Sequence, residues 1–450
     1  MKFADVDNLG IPPLAGVCSY EQAACPGISV DRTVDLLKRY NFVLRRLHEI
    51  AVAHIPDTPE WEVKCGLGLQ AWLDAEHCTV IRERVAEMRE PPHQLDDVPD
   101  ERLEALLEEA IRAENTLELL VGVYRVIRPA LVAQMRAHID TANPLFDHPT
   151  RRILRLILVE QDEILEWGRR ACDALMSADQ HRASSWETHV QWFLEASGGI
   201  GGDASTNATA SPGRRWDGRP YEMALEPRRD ARFVDPFNES AQIYDYYRDP
   251  DCPLDERTLA LVYMRLREID VPEYMAPILF MTRGREWEYY ADLSRQLWDE
   301  TRHAMMGEVS LVQEGVPFYT YPVPILGSAT LNTEFTPLEA HVLLWSVEQS
   351  LMPGKTGKRL EYEIAVEHGE SFFAMMQDYD WADEVLHAQI GRKHLGQSFA
   401  SAAEQREAAA ELMDRWNAAM TKMMLERSEQ RPWWPEFVER VRAHRAGVTD

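Results

Sequence analysis

From residue 31 onward the apolar side chains recur at three- and four-residue intervals, and the alternation of a half-buried strand is nearly absent. A chain patterned this way buries stripes rather than flat faces, so it packs helix on helix; the expected class is all-α. Helices are expected over residues 31–53, 60–89, 101–139 and 149–176, with a further stretch at 185–195. Asp147 and Thr150 are candidate N-caps of the fourth, and Pro91 with Pro92 ends the second. A second group is expected at 255–281, 284–314, 337–351, 358–377, 381–398 and 402–428. Residues 318–325 are the one strand candidate, and their prolines make them a loop.

The two groups are divided by residues 196–220, whose Gly, Ser, Thr and Asn content cannot build a core. The expected organisation is an irregular Pro- and Gly-rich arm (1–30), a helical bundle (31–195), a linker (196–235), a second bundle (236–400), and a C-terminal helix with a Trp-rich tail (401–450). In that tail Trp433 and Trp434, flanked by Pro432 and Pro435, are expected to clamp onto the body.

Charge narrows the function classes. With 48 Lys and Arg against 75 Asp and Glu the formal net charge is −27, and no basic patch is visible, which disfavours nucleic acid and anionic lipid as partners. The most apolar window, residues 119–135, carries Arg125 and Arg128, so no membrane span is expected. The six cysteines lack CxxC spacing, and the N-terminus lacks the pattern of a signal peptide. A reduced, cytoplasmic protein is the expectation.

Two strings in the second half carry chemistry: Asp299-Glu300-Thr301-Arg302-His303 and Asp383-Glu384-Val385-Leu386-His387. On a helix the Glu and His of each string project from one face, so each pair can bind one metal. A bundle holding two metals needs such a pair from two helices and one inward Glu from each of the other two. Glu268 and Glu348 lie about one helical hairpin before Glu300 and Glu384, where antiparallel return would bring each pair level. Because a ligating imidazole normally donates its second N–H to a carboxylate, Asp299 is expected to serve His387, and Asp383 to serve His303. MPGKTGK, directly after Glu348, interrupts that helix early and leaves Glu363 or Glu367 as alternatives for the third-helix ligand.

This pattern resembles the ferritin-like superfamily of dimetal carboxylate proteins, and the strings WDETRHAMMGE and ADEVLHAQIGRKHL resemble a branch with a DE-x-x-H…G signature. The resemblance covers residues 255–398. It implies a ferritin-like four-helix bundle whose metal ligands are Glu268, Glu300, His303, Glu348, Glu384 and His387. It also implies two iron ions, or manganese with iron, reacting with O₂ or peroxide. The function so implied is an O₂-dependent dimetal oxidase or oxygenase that hydroxylates, desaturates or N-oxidises a small organic substrate. The alternative is a ferroxidase or iron-handling protein, or a helical scaffold with a relic site. A redox partner and a homodimer remain open.

The first half looks like a degenerate duplicate. QAWLDAEHCTVIRERV aligns with RQLWDETRHAMMGEVS, placing Asp74 at Glu300 and His77 at His303, and EQDEILEWGRR aligns with ADEVLHAQIGRK, placing Glu163 at Glu384 and Glu166 at His387. Trp298, Trp345, Trp381, Tyr289 and Tyr290 are expected to be core, and His341 and His368, without partners at ligand spacing, to be structural.

Overall fold

The computed structural model describes residues 6–89, 95–177, 179–205 and 211–447. These residues are helical, with no strand among them. The chain divides into two compact units, one of Met1–Ile50 with Leu73–Glu222, the other of Ala51–Trp72 with Met223–Asp450.

From the N-terminus to the Gly-rich stretch the long elements follow the apolar periodicity, and of these residues Ala51–Trp72 belong to the second unit. After a short α1 (Tyr20–Ala24) come α2 (Val30–His54), α3 (Trp61–Glu87), α4 (Glu101–Ala110), α5 (Thr116–Leu120), a π-helical segment (Val121–Ile127), α6 (Arg128–Thr141), α7 (His148–Met176) and α8 (Gln180–Ala196). The stop expected at Pro91 and Pro92 lies outside the described residues. The single helix expected over 101–139 is broken, for two local reasons. Asn115 in extended backbone caps α5, its side chain accepting from the Glu118 N–H. Pro129 then has no N–H to give the Arg125 carbonyl, and the wide π turn falls directly before it. The Gly-rich stretch after α8 is tied down by polar contacts rather than by a core. Arg39 donates through Nε to the Ile200 carbonyl at 2.6 Å, and Arg215 donates to Glu118 at 2.7 Å with its guanidinium 3.9 Å over the Trp186 ring.

The second unit contains α9 (Ile243–Arg248), α10 (Leu254–Arg267), α11 (Asp270–Met281), α12 (Trp287–Gln313), α13 (Leu326–Glu334), α14 (Pro337–Ser350), α15 (Lys358–His368), α16 (Ser371–Leu395), α17 (Ala402–Arg427) and α18 (Trp434–Arg445). Helix α12 packs on α10, α11 and α16, and α14 packs on α11 and α16. Three departures from the expected helices shape this unit. Residues 255–281 break after Arg267, because the Pro272 ring crowds the Glu268 carbonyl and cannot donate to it. Residues 358–377 end instead at His368, where Gly369 at φ 88° supplies a left-handed cap. Helix α16 therefore starts at Ser371, which places Glu384 and His387 in its middle. The short helices α9 and α13 have no counterpart among the expected elements.

Two glycines permit the close approach of these rods. A Cβ on Gly307 of α12 would lie 2.2 Å from the Leu266 backbone nitrogen of α10, and one on Gly391 of α16 would lie 2.2 Å from Cδ1 of Trp345 on α14. Each follows its string's His by four residues, which gives the glycine of the DE-x-x-H…G pattern a packing reason. The tail closes the core of this unit. Trp433 stacks on Tyr321 with centroids 5.5 Å apart, while Trp434 stacks on Tyr246 at 4.8 Å and donates its indole N–H to Glu256 at 2.9 Å.

Candidate metal centre

The middle of α12 offers Asp299, Glu300 and His303, and the middle of α16 offers Asp380, Asp383, Glu384 and His387. Glu268 stands at the break between α10 and α11, and Glu348 lies in the last turn of α14. Two groups of side chains converge here with ligand atoms within 4.8 Å of one another, and each could hold a metal ion. One is Glu268, His303, Asp380 and Glu384; the other is Glu300, Glu348, Glu384 and His387. Glu384 belongs to both. Glu363 is instead on the exterior of α15, paired with Arg359 at 2.9 Å, and Glu367 is exposed.

The imidazoles are oriented by the aspartates of the opposite strings. Nε2 of His303 is 3.1 Å from Oδ2 of Asp383, and Nε2 of His387 is 3.4 Å from Oδ2 of Asp299. Arg302 ties both aspartates together, at 2.5 Å from Asp299 and 2.7 Å from Asp383, and Arg295 donates to Asp299 at 2.9 Å. With Nε2 so occupied, each ring turns Nδ1 inward. His303 Nδ1 lies 3.5 Å from Glu268 and Asp380, and His387 Nδ1 lies 3.1 Å from Glu300 and 3.2 Å from Glu384.

Several inward atoms lack a hydrogen-bond partner although they are buried: His303 Nδ1, Glu268 Oε2 and Glu348 Oε2. Buried polar atoms are ordinarily satisfied, so these unpaired oxygens and this ring nitrogen are positions that a cation could fill. The charge count agrees. Eight carboxylates (Glu268, Asp299, Glu300, Glu348, Glu361, Asp380, Asp383 and Glu384) meet four fixed cations in this region (Arg265, Arg295, Arg302 and Lys358). With every carboxylate ionised and both imidazoles neutral, as metal ligation requires, two divalent ions would supply the four remaining charges. The donor set therefore fits a pair of hard or borderline divalent metals.

Protonation follows from the same crowding. Burial, reinforced by Glu384, pushes the Glu348 carboxyl well up, and burial also raises Glu268 despite the nearby Arg265. Burial by itself would lower the imidazoles, but Asp380, Asp383 and Glu300 outweigh it at His303 and raise it to about 10. At His387 the hydrogen bonds to Asp299, Glu300 and Glu384 likewise prevail and raise it well above the usual range. Protons and divalent cations compete for these atoms, so metal uptake here would release protons.

Four contributors were not anticipated from the sequence. Asp380 is one turn before Glu384 on the same face, a spacing that could have flagged it. Lys358 opens α15, and its ammonium lies 2.9 Å from both Asp380 and Glu384. Arg265 pairs with Asp380 and, at 3.0 Å, with Glu268, while Glu361 is buried 3.4 Å from Arg265. Lys358 reaches inward because the interruption after Glu348 folds back on itself. A Cβ on Gly357 would sit 1.9 Å from the Leu351 carbonyl oxygen, which accepts from the Lys358 N–H.

The first unit holds a related but different cluster. Asp74 is bridged to the buried Arg128 at 2.5 and 2.9 Å, and Gln161 reaches Arg128 at 3.1 Å and His77 Nδ1 at 3.2 Å. His77 Nε2 is 2.6 Å from Glu160. The expected alignment of α7 is therefore corrected: Glu163 and Glu166 are exposed, Glu166 pairing with Arg169, and the inward register runs through Gln161. A shift of one or two residues along a helix rotates a side chain by about 100° to 200°, so a match of acidic residues in sequence does not fix which face is buried. A guanidinium occupies the middle of this cluster.

Comparison of the chain with family models, with curated proteins and with solved structures gives no match. No helix among the described residues is long and apolar enough to cross a membrane.

Proposed function

We propose that the second unit is a ferritin-like dimetal oxidoreductase centre that uses O₂ to oxidise a small organic substrate by hydroxylation, desaturation or N-oxidation. The observation carrying this reading is the convergence of Glu268, Glu300, Glu348, Glu384, His303 and His387 on one interior with Nδ1 of both imidazoles turned inward. Iron is the favoured metal, with a manganese–iron pair as the variant; zinc suits the set less, since its sites hold fewer ligands richer in nitrogen or sulfur. Bound iron would supply the O₂ chemistry.

The residues' own tasks are separable. Asp299 and Asp383 hold the imidazole Nε2 protons and so fix the tautomer that leaves Nδ1 free. Gln296 donates to Glu348 Oε1 at 3.1 Å and leaves Oε2 for a cation. Burial of both histidines and of Glu300, Glu348 and Glu384 keeps bulk water from the reacting atoms.

One observation favours a second reading, a helical scaffold with a relic site. Arg265 and Lys358 already neutralise part of the carboxylate cluster, as Arg128 does in the first unit. Metal analysis of protein from iron- and manganese-supplemented cells, with Glu300→Ala as control, separates the two. Two equivalents lost on substitution support the oxidoreductase; metal content near zero in the parent protein leaves only the scaffold. Aerobic iron loading adds the third arm, since substrate-free, multi-turnover oxidation with stored mineral would assign a ferroxidase.

A further inference from the structure

Beside the cluster lies a cavity of about 840 Å³, within the size range of sites for small organic ligands. Glu268, a member of one of the two metal-sized groups, is among the residues that line it. Its outer wall is α17, which buries only Gln405 and Ala409 fully along its length and turns Met413, Trp416, Met420 and Met424 to the cavity. At 1.5 Å per residue, Met413 to Met424 extend along about 16 Å, so the space is elongated. Thioether side chains adapt to ligand shape, which suits a flexible chain better than a rigid ring system.

The charged groups on the wall are mostly compensated from within. Arg267 pairs with Glu239 at 2.6 Å, Glu268 with Arg265 at 3.0 Å, and Asp270 accepts from the Ser328 N–H at 3.1 Å. Arg248 differs. It is exposed at the end of α9, donates through Nε to the Tyr247 hydroxyl, stacks on Tyr244 and Tyr247, and makes no ion pair among the described residues. The cavity therefore has an uncompensated cation at one place on its wall, a long apolar body, and a carboxylate of the candidate centre at another.

We infer that the cavity takes an elongated aliphatic carboxylate, its anionic head on the Arg248 guanidinium and its chain along the methionines of α17. This rests on the dimetal reading only for the ligand's role as a substrate; the binding claim stands on the cavity alone. The guanidinium fork matches a carboxylate in geometry as well as charge.

Binding of decanoate, decylamine and decanol to the metal-depleted full-length protein, read by titration calorimetry, tests it without reference to the metals. Decanoate is expected to bind with one site per chain and more tightly than decylamine. Arg248→Ala and Arg248→Glu, at an exposed position, are expected to weaken decanoate by about tenfold or more while leaving decanol unchanged. Met420→Trp, which fills the cavity, is expected to weaken decanoate and decanol alike. No decanoate binding, equal binding of decylamine, or an unchanged affinity in both Arg248 variants overturns the inference. The metal analysis described above can fail independently of this result, and this one independently of it.

Discussion

The ammonium of Lys358 lies 2.9 Å from Oε1 of Glu384, the carboxylate that both metal-sized groups share. A fixed cation thus stands against the one carboxylate that belongs to both groups. Replacing it by Lys358→Met leaves Asp380 and Glu384 with less compensation, and breaking a buried pair from one side costs about 3–5 kcal/mol. We expect the metal-free variant to melt well below the parent and Fe(II) or Mn(II) to restore much of the difference. Thermal unfolding with and without metal checks this, and a variant that metal does not stabilise speaks for the scaffold.

The crossed aspartates make a second prediction. Asp383→Asn and Asp299→Asn keep the shape but weaken the acceptors that orient His303 and His387. Each is expected to lower metal affinity by about 10–100-fold, with helix content unchanged. Glu363→Gln, on the exterior of α15, is expected to leave affinity unaltered. Competition with a chromophoric chelator gives the numbers.

Gly307 is expected to be intolerant of any side chain. The Cβ of Gly307→Ala would meet the Leu266 backbone, which cannot rotate away as a side chain could. A loss of about 1–3 kcal/mol is expected in denaturant unfolding, together with reduced metal content, because Glu268 is two residues from Leu266 on the displaced rod.

An acid-side prediction concerns the first unit. His138 is buried against Tyr40, neither ring nitrogen has a hydrogen-bond partner, and burial pushes its pKa down to about 4. The unfolded chain binds this proton near pH 6.5, the folded one only near 4, so stability is complete above 6.5 and is lost as pH falls through that window. The loss attributable to this group is roughly 3 kcal/mol below pH 4. His138→Phe is expected to flatten the stability profile between pH 6.5 and 4 relative to the parent. Denaturant midpoints across that range decide it, and parallel profiles would count against the assignment.

What was legible beforehand follows from the range of the forces involved. Helical periodicity is a local property, so the ends of α2, α7, α12 and α14 were readable to within a few residues. The breaks at Glu268 and Gly369 have local signals too, Pro272 and a glycine, but the apolar stripe continues past both and masks them. The spacing of Glu300 with His303 and of Glu384 with His387 is likewise local, and one helix face carries each pair.

The sequence by itself determined that these pairs exist and that the chain is helical. Only the tertiary structure decided which faces meet. It turned Glu348 inward and Glu363 outward, turned Glu163 and Glu166 to solvent, and brought Lys358 and Arg265 in among the carboxylates. The reason is that a buried charge is stable only beside a compensating one, and which charges become neighbours is set by rod packing between residues far apart in the chain.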